Sequence, residues 1–399
     1  MARVDLHRCC IAAALALLTS TTSASGVSAR NLAMGGGGVA SSHYEAASRA
    51  NPALLTDFRE GDRFAVSLPV ATGEVSDPDD VVDGLDAIST RYGLLEQQVI
   101  AGDVEGALQS RDAILDSLEA IADSPVLASL GAGLSFAVPG KRLAFAIDLR
   151  SRAEGGAVAR YDPADAARIN GAIASGDPGA LDDIQSYGLV LGAAVSEFVL
   201  SLATSWQLPA GEFALGFAPK YQRVDTALYV ARANSFDSDD IDLGDIRDDG
   251  AAFNMDVGAA WDFAPHWRLG LMWRDLIAND YDTLEINGFQ TTYRIEPNAS
   301  LGVAYHSNAF TLALDGDLNS RSSFDGLDAS QFVSLGGEFN AANWVQLRAG
   351  LRHDARNTRE NIATLGIGFS PFDVFHVDLT GFFGRSDTFG GALELSLTL

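Results

Sequence analysis

Apolar residues recur at every second position through most of the chain beyond residue 131. In KRLAFAIDLR, Leu143, Phe145, Ile147 and Leu149 alternate with Ala144, Ala146, Asp148 and Arg150. EFVLSLATSW repeats the pattern with Phe198, Leu200, Leu202 and Thr204, and GGALELSLTL with Leu393, Leu395, Leu397 and Leu399. A period of two is that of an extended strand with one apolar face. About fourteen such runs occur, near 62–70, 131–139, 142–150, 189–206, 211–230, 252–262, 267–275, 291–305, 309–318, 331–340, 343–353, 361–370, 374–383 and 389–399.

A soluble sandwich also alternates, so the polar face and the loop rhythm must decide. The polar face carries Asp148, Arg150, Asp256, Arg274, Asp315, Glu338, Arg348 and Arg352, which a wet lumen tolerates. Arg150, Arg274, Arg348 and Arg352 are therefore candidate lumen-facing charges. Connections alternate between short (VPGKR, QLPAGE, FAPHW, YHSNA, FNAANW, FSPFD) and long, at about 151–186, 231–251, 275–290, 319–330 and 353–360. Transmembrane barrels have this asymmetry, short on the periplasmic side and long outside. Trp206, Trp261, Trp267 and Trp344 flank short turns, where an interfacial aromatic girdle belongs. The predicted fold class is all-β: a transmembrane antiparallel β-barrel of about fourteen strands, with an N-terminal plug segment and small helical insertions.

Two segments depart from the strand period. Residues 78–122 place Val82, Leu85, Ile88, Leu108, Ile114, Leu115, Leu118 and Ile121 at helical spacing, and 162–184 is a shorter Ala- and Asp-rich version. Both read as helical insertions among the long loops, packing over the barrel mouth or offering a surface to a partner.

Residues 1–29 read as a secretory signal peptide. Arg3, His7 and Arg8 start it, Cys9 to Leu18 is apolar, and small residues follow; cleavage after Ala29 fits best, with Ala24 as a second position. Both cysteines leave with it, which excludes disulfides and thiol chemistry from the mature chain. Beyond the leader no stretch of about eighteen apolar residues remains for a membrane helix, although 47% of the chain is hydrophobic. The organisation is then leader 1–29, plug or hatch 30–60, and barrel 61–399, placed in the outer membrane of a Gram-negative cell.

The plug assignment rests on RNLAMGGGGVASSHYEAASRANPALL. Gly35, Gly36, Gly37 and Gly38 let backbone approach the barrel wall, and Asn51, Pro52 and Ala53 start a short helix with Asn as N-cap and Pro at N1. No strand precedes the glycines, so a dinucleotide loop is a poor reading.

The same residues carry a resemblance. ARNLAMGGGGVASSHYEAASRANPALL resembles the N-terminal region of the FadL-like outer-membrane transport superfamily. SYGLVLGAAVSEFVLSLATSW, GFAPKYQRVDTALY, WRLGLMWRDLIANDY and VQLRAGLRHD are similar to the plasmid-transfer TraF-type outer-membrane family, along nearly the whole mature chain. The resemblance implies a FadL-like barrel of the type encoded with conjugal transfer genes, which transports or binds apolar small molecules. One departure is Leu399, where such barrels commonly end on an aromatic residue.

Candidate chemistry adds little. His43, His266, His306, His353 and His376 are scattered singly, which argues against zinc. DGDLNS at 315–320 lacks the turn glycine of a calcium loop, Ser320 standing in its place, and the acidic FDSDDIDLGDIRDDG at 236–250 reads as a solvated loop. No cofactor, metal or catalytic set is predicted, and an enzyme is not expected. With 27 Lys+Arg against 53 Asp+Glu and a net charge of -26, direct nucleic-acid binding is disfavoured. Expected partners are outer-membrane lipid, an apolar small-molecule ligand and conjugation-machinery proteins. The functional alternative to passage is a structural component of a conjugation apparatus without transport activity.

Overall fold

The computed structural model describes residues 28–77, 79–237, 247–385 and 388–399. Nearly all of the predicted leader and the centre of the acidic stretch 236–250 lie outside the described residues. Among those described, fourteen strands form one closed antiparallel barrel in which each pairs with its neighbours in sequence. The wall runs through β1 (Ala65–Ser76), β2 (Pro125–Val138), β3 (Ala144–Arg160), β4 (Tyr187–Leu208), β5 (Gly211–Arg232), β6 (Arg247–Ala264) and β7 (Trp267–Arg274). After an excursion it continues through β10 (Asn298–His306), β11 (Phe310–Asp317), β12 (Phe332–Ala342), β13 (Val345–Asp354), β14 (Ile362–Phe369), β15 (Phe375–Phe383) and β16 (Thr388–Thr398). Val66 opposite Leu397 and Val75 opposite Phe389 close it, so the wall has no free edge. Both ladders of β1 slip between Ser67 and the residues after Leu68, where Pro69 has no N–H to donate.

The burial pattern is inverted relative to a soluble protein. Along β3, Ile147 and Leu149 are exposed while Asp148 and Arg150 between them are buried, and along β11 Leu312 and Leu314 are exposed while Asp315 is buried. The apolar face points away from the barrel axis, as an outward face in lipid requires. Trp206, Trp261, Trp267 and Trp344 are all exposed at the short-turn end. Trp206 stacks on Phe213 and Trp344 on Phe369 at that rim, while Trp273 lies outside it.

The two predicted insertions are helical. Residues Val81–Ala101 (α3) and Val104–Ile121 (α4) form a hairpin, and Asp165–Ser175 (α5) follows β3. Their position differs from a cap over the mouth. β3, β4 and β5 contain 17, 22 and 22 residues, against the roughly 9–11 needed to cross a bilayer, so they project beyond the apolar band. Leu85, Ile88, Leu118 and Ile169 pack on Val126, Ala157, Ala159 and Val190, which share strand parity with the outward residues Phe136, Ile147 and Phe198. The helices therefore clothe the outside of the projecting wall.

The inside of that projection is filled by something the sequence pattern did not reveal. Instead of one strand over 291–305, the chain forms a separate two-stranded hairpin, β8 (Asn279–Asp282) with β9 (Thr292–Ile295), and enters the wall only at Asn298. Pro297 stands at the break and cannot join either ladder. Tyr293 and Ile295 from this excursion, with Phe324 from the loop between β11 and β12, pack against Leu191, Val195, Val224 and Leu228 on the inner wall.

Candidate functional site

The N-terminal segment enters the barrel and is bonded to its inner wall. Its first short helix, Ala29–Ala33 (α1), is capped by Ser28, whose side chain accepts from the Asn31 N–H. The chain then reverses at Gly35 and Gly36, with φ of +78° and +87°. At Gly35 a side chain would also lie 2.6 Å from the Leu351 carbonyl oxygen, whereas at Gly36 the nearest atom is 4.0 Å away. Gly35 is thus fixed by both conformation and space, Gly36 by conformation alone. Gly37 and Gly38 have no positive φ; a side chain on them would press on Asp315 and Asn31. The N–H groups of Gly38 and Val39 both donate to the Asp315 carboxylate.

A second helix, Ala47–Ala50 (α2), leads into a single 3₁₀ stretch, Pro52–Thr56. The Asn51 side-chain oxygen accepts from the Ala53 N–H at 3.1 Å, and its amide nitrogen donates to Val39 O at 2.8 Å and to Ala259 O in β6 at 3.0 Å. One residue thus caps the turn, ties it to the glycine loop and fastens both to the wall. Ala53, Leu54 and Leu55 are fully buried against Ala137, Ala146, Ala203 and Ala260.

Buried ion pairs complete the attachment. Arg30 meets Glu338 at 2.8 Å, and the same carboxylate takes Arg348 at 2.7 Å, with Arg348 also on Asp378. Arg49 bridges Asp148 at 3.1 Å and Glu394 at 3.2 Å; Glu394 also accepts from the Ala29 N–H at 2.8 Å. Arg150 pairs with Glu197 and lies 3.5 Å from Asp256. Arg274 donates to the carbonyl oxygens of Arg49 and Ala50 at 3.2 and 3.1 Å, and Arg352 reaches Glu74 at 2.6 Å. Arg150, Arg274, Arg348 and Arg352 all project inward. Arg348 pairs with a carboxylate that also holds Arg30, and Arg274 bonds segment carbonyls directly.

The residues that sequence reasoning missed are wall glycines. A side chain at Gly216, Gly258, Gly270, Gly336, Gly350 or Gly366 would overlap Ala53, Asn51, Val39, Met34, Gly35 or Ala33 respectively. These glycines belt the inner face of six strands where the segment passes. Each sits at an inward position beside outward apolar residues, as in Leu215-Gly216-Phe217 and Leu269-Gly270-Leu271, a signal available in the alternation itself. Arg30 and Arg49 were also missed, since nothing local distinguishes them from surface arginines.

Cavities lie on both sides of the segment. Toward the long-loop end, one of about 210 Å³ and one of about 190 Å³ share Arg321, Phe332 and Arg352 as lining. Asn31, the glycine turn and Arg49 form part of the second. Toward the short-turn end is a vestibule of about 790 Å³. It gathers His43, His266, His306 and His376, which are dispersed in sequence; among the described histidines only His353 lies elsewhere. Among the described residues no group of three or more His, Cys, Asp or Glu is arranged to hold a metal.

Vestibule groups carried by the segment respond to their surroundings. Burial, with the nearby Asp62 and Glu45 carboxylates, raises the Tyr44 hydroxyl well above its ordinary value. Burial opposes ionisation of Glu45, but the adjacent His43 outweighs it and holds this carboxyl down at about 2. Asp57, only partly buried, is likewise lowered: desolvation opposes ionisation, and the charge and hydrogen bond of Arg268 outweigh it.

Residues 49–317 match the family described as "F plasmid transfer operon, TraF, protein". The chain belongs to this family. No curated protein matches it in sequence. Among solved structures it is similar to the toluene transporter TbuX of Ralstonia pickettii, at 10% identity and a TM-score of 0.51, covering 94% of this chain and 97% of that one. The Pseudomonas putida toluene transporter TodX gives 13% identity and 0.52, covering 94% and 99%. A Pseudomonas aeruginosa FadL homologue gives 11% and 0.53, covering 93% and 98%. At these identities the likeness is one of fold, shared over nearly the full length of each chain.

Proposed function

We propose that this TraF-family chain is an outer-membrane passage barrel for apolar small molecules, closed by residues 30–60 acting as a plug. The observation that carries the reading is the placement of the N-terminal segment, which lies between the long-loop cavities and the short-turn vestibule and is bonded to the wall on all sides. The apolar exterior supports a place in lipid. Leu127, Phe324, Leu327, Phe332 and Ile362 give the outermost cavity a partly apolar lining, suited to receiving such a molecule from the long-loop side. In this reading Gly35, Gly36, Gly37 and Gly38 with Asn51, Pro52 and Ala53 seat the plug, and opening means loosening its buried pairs. Export depends on the leader; the Ser28 cap and the Ala29 contact with Glu394 favour cleavage after Ala24 over Ala29. The solved barrels of this fold are named as transporters and channels, and we assign no catalytic role.

The test is uptake of a radiolabelled twelve-carbon alcohol by Gram-negative cells with an intact lipopolysaccharide leaflet, with and without the chain. Faster uptake with the chain is the expected result; equal uptake at matched expression overturns the reading.

A second reading, contact with a conjugation apparatus, is favoured by family membership and by the α3–α4 hairpin. That hairpin exposes Ile100, Val104 and Leu108 on an otherwise acidic surface. Replacing residues 81–121 by a short linker should then reduce plasmid transfer while leaving uptake unchanged; unaltered transfer would eliminate this role for the hairpin.

A further inference from the structure

The two long-loop cavities, of about 210 and 190 Å³, are separate volumes, and the residues that line both stand between them: Arg321, Phe332 and Arg352. The outer cavity has Leu127, Leu327 and Ile362 in its lining, the inner one Leu32, Gly36 and Gly37 of the N-terminal segment. A molecule moving from the outer cavity toward the segment therefore meets these three side chains as a throat.

The throat has one clamped side and one loose side. Phe332 opens β12 at an inward position, where the next inward residues, Ser334, Gly336 and Glu338, are small or polar. Its N–H donates to Asp317 Oδ2 at 3.1 Å, and the Arg352 guanidinium lies over its ring, 5.0 Å from the centroid. Arg352 is itself fastened to Glu74 in β1 at 2.6 Å. The ring is thus held by its own strand on one side and by a guanidinium anchored on another strand on the other. Arg321 differs. Its backbone exchanges two hydrogen bonds with Ser330, at 3.1 and 2.9 Å, but its guanidinium makes no hydrogen bond or ion pair among the described residues, and the residue is exposed. The Arg321 side chain can turn aside for a passing molecule; the Phe332 ring cannot without giving up its stacking.

The size of the cavities turns this into selection by shape. An apolar cavity of about 150 Å³ takes one benzene molecule, so cavities of about 210 and 190 Å³ each take one compact group of that order. A longer molecule fits only by lying in both at once, with a thin part in the throat.

We infer that Phe332, clamped by Arg352, is a specificity-determining residue that sorts cargo by cross-section, admitting extended, unbranched molecules and holding back compact polycyclic ones of the same carbon count. The inference rests on the passage reading and narrows its cargo from any apolar small molecule to a thin one.

Uptake of radiolabelled decanol and adamantanol, ten-carbon alcohols that differ in width, tests it in Gram-negative cells with an intact lipopolysaccharide leaflet. The quantity read is the initial rate with the full chain less the rate without it. Decanol should enter at least about tenfold faster than adamantanol, as expected of a rigid wall against a group too wide for it. Phe332→Ala should bring the two within about twofold by raising adamantanol entry, with decanol little changed. Arg352→Met, which unclamps the ring without removing it, should relax the preference in the same direction, and Arg321→Ala should keep it. Adamantanol entering the parent as fast as decanol overturns the inference and leaves the passage reading standing. A preference that Phe332→Ala and Arg352→Met both leave untouched, or that Arg321→Ala abolishes, overturns the assignment to Phe332. Chain-dependent entry of neither alcohol overturns the passage reading and the inference with it. The comparison of the two alcohols uses the unaltered chain, so it stands even if a variant fails to fold.

Discussion

Replacing Arg49 by Met should unseat the N-terminal segment without opening the barrel wall. Arg49 is 3% exposed and bridges Asp148 at 3.1 Å and Glu394 at 3.2 Å, themselves 0% and 3% exposed. Removing one member of a buried ion pair costs about 3–5 kcal/mol, because the partner is left desolvated. Here the lower end applies. Asp148 keeps a hydrogen bond from Ser48 Oγ at 2.7 Å, and Glu394 keeps those from Ser67 Oγ and the Ala29 N–H, both at 2.8 Å. About 3 kcal/mol corresponds to roughly two orders of magnitude in population, at about 1.4 kcal/mol per tenfold. The cost falls on seating, since water can reach both carboxylates once the segment leaves, while the strand ladders contain no contribution from Arg49. Hydrogen exchange of the Ala46–Asn51 amides in nanodiscs reads the effect, with exchange in Arg49→Met faster by about a hundredfold. The triple variant Arg49→Met, Asp148→Asn, Glu394→Gln removes the stranded charges and should recover most of the protection. Exchange at the parental rate in the single variant would refute the reasoning. So would a triple variant as exposed as the single one.

Gly336→Ala places a methyl group onto the Met34 backbone and should expose residues 30–60 to protease while the barrel keeps its heat-modifiable mobility; Gly316→Ala, whose nearest neighbour would be 3.9 Å away, should behave as the parent. Leu312→Arg puts a charge on the outward face and should cost about 2–4 kcal/mol in reversible unfolding from lipid if it lies near the midplane; a cost under about 1 kcal/mol would show that this face does not meet hydrocarbon. The Asp57 carboxyl is held below its ordinary value by Arg268, so its tether contributes above about pH 4 and is lost as pH falls further. Asp57→Asn should accordingly speed exchange of the Asp57–Arg63 amides at pH 7 and have a smaller effect at pH 3, after correction for intrinsic rates. An equal effect at both pH values would remove the tether.

The wall was legible because lipid and lumen impose opposite polarity on alternate residues, so Leu143 to Arg150 declares both faces at once. The helical pair over 81–121 was legible for a similar reason, through Leu85, Ile88, Ile114 and Leu118 at helical spacing. The excursion through β8 and β9 was not. Its strands are four residues each, too short to establish a period, and Tyr293 and Ile295 alternate in phase with the strand that follows Pro297. The side on which the helices pack was also hidden, because it depends on how far β3, β4 and β5 outrun the bilayer. At the candidate site, the glycine run and Asn51-Pro52-Ala53 were visible as local motifs. Their attachments were not, since Arg30 meets Glu338 and Arg49 meets Glu394 across hundreds of residues. The wall glycines could have been read: each replaces a side chain at an inward position where an unobstructed lumen would demand none in particular.

The most direct test of a lumen closed by its own N-terminal segment is planar-bilayer conductance of the chain lacking residues 30–55 beside the full-length chain. The ladder of β1 begins at Ala65, so the shortened barrel keeps every wall strand. It should insert and give discrete, stable conductance steps, while the full-length chain under the same conditions stays near the baseline. Equal conductance of the two chains would contradict the account, since it would mean that the segment does not block the pore.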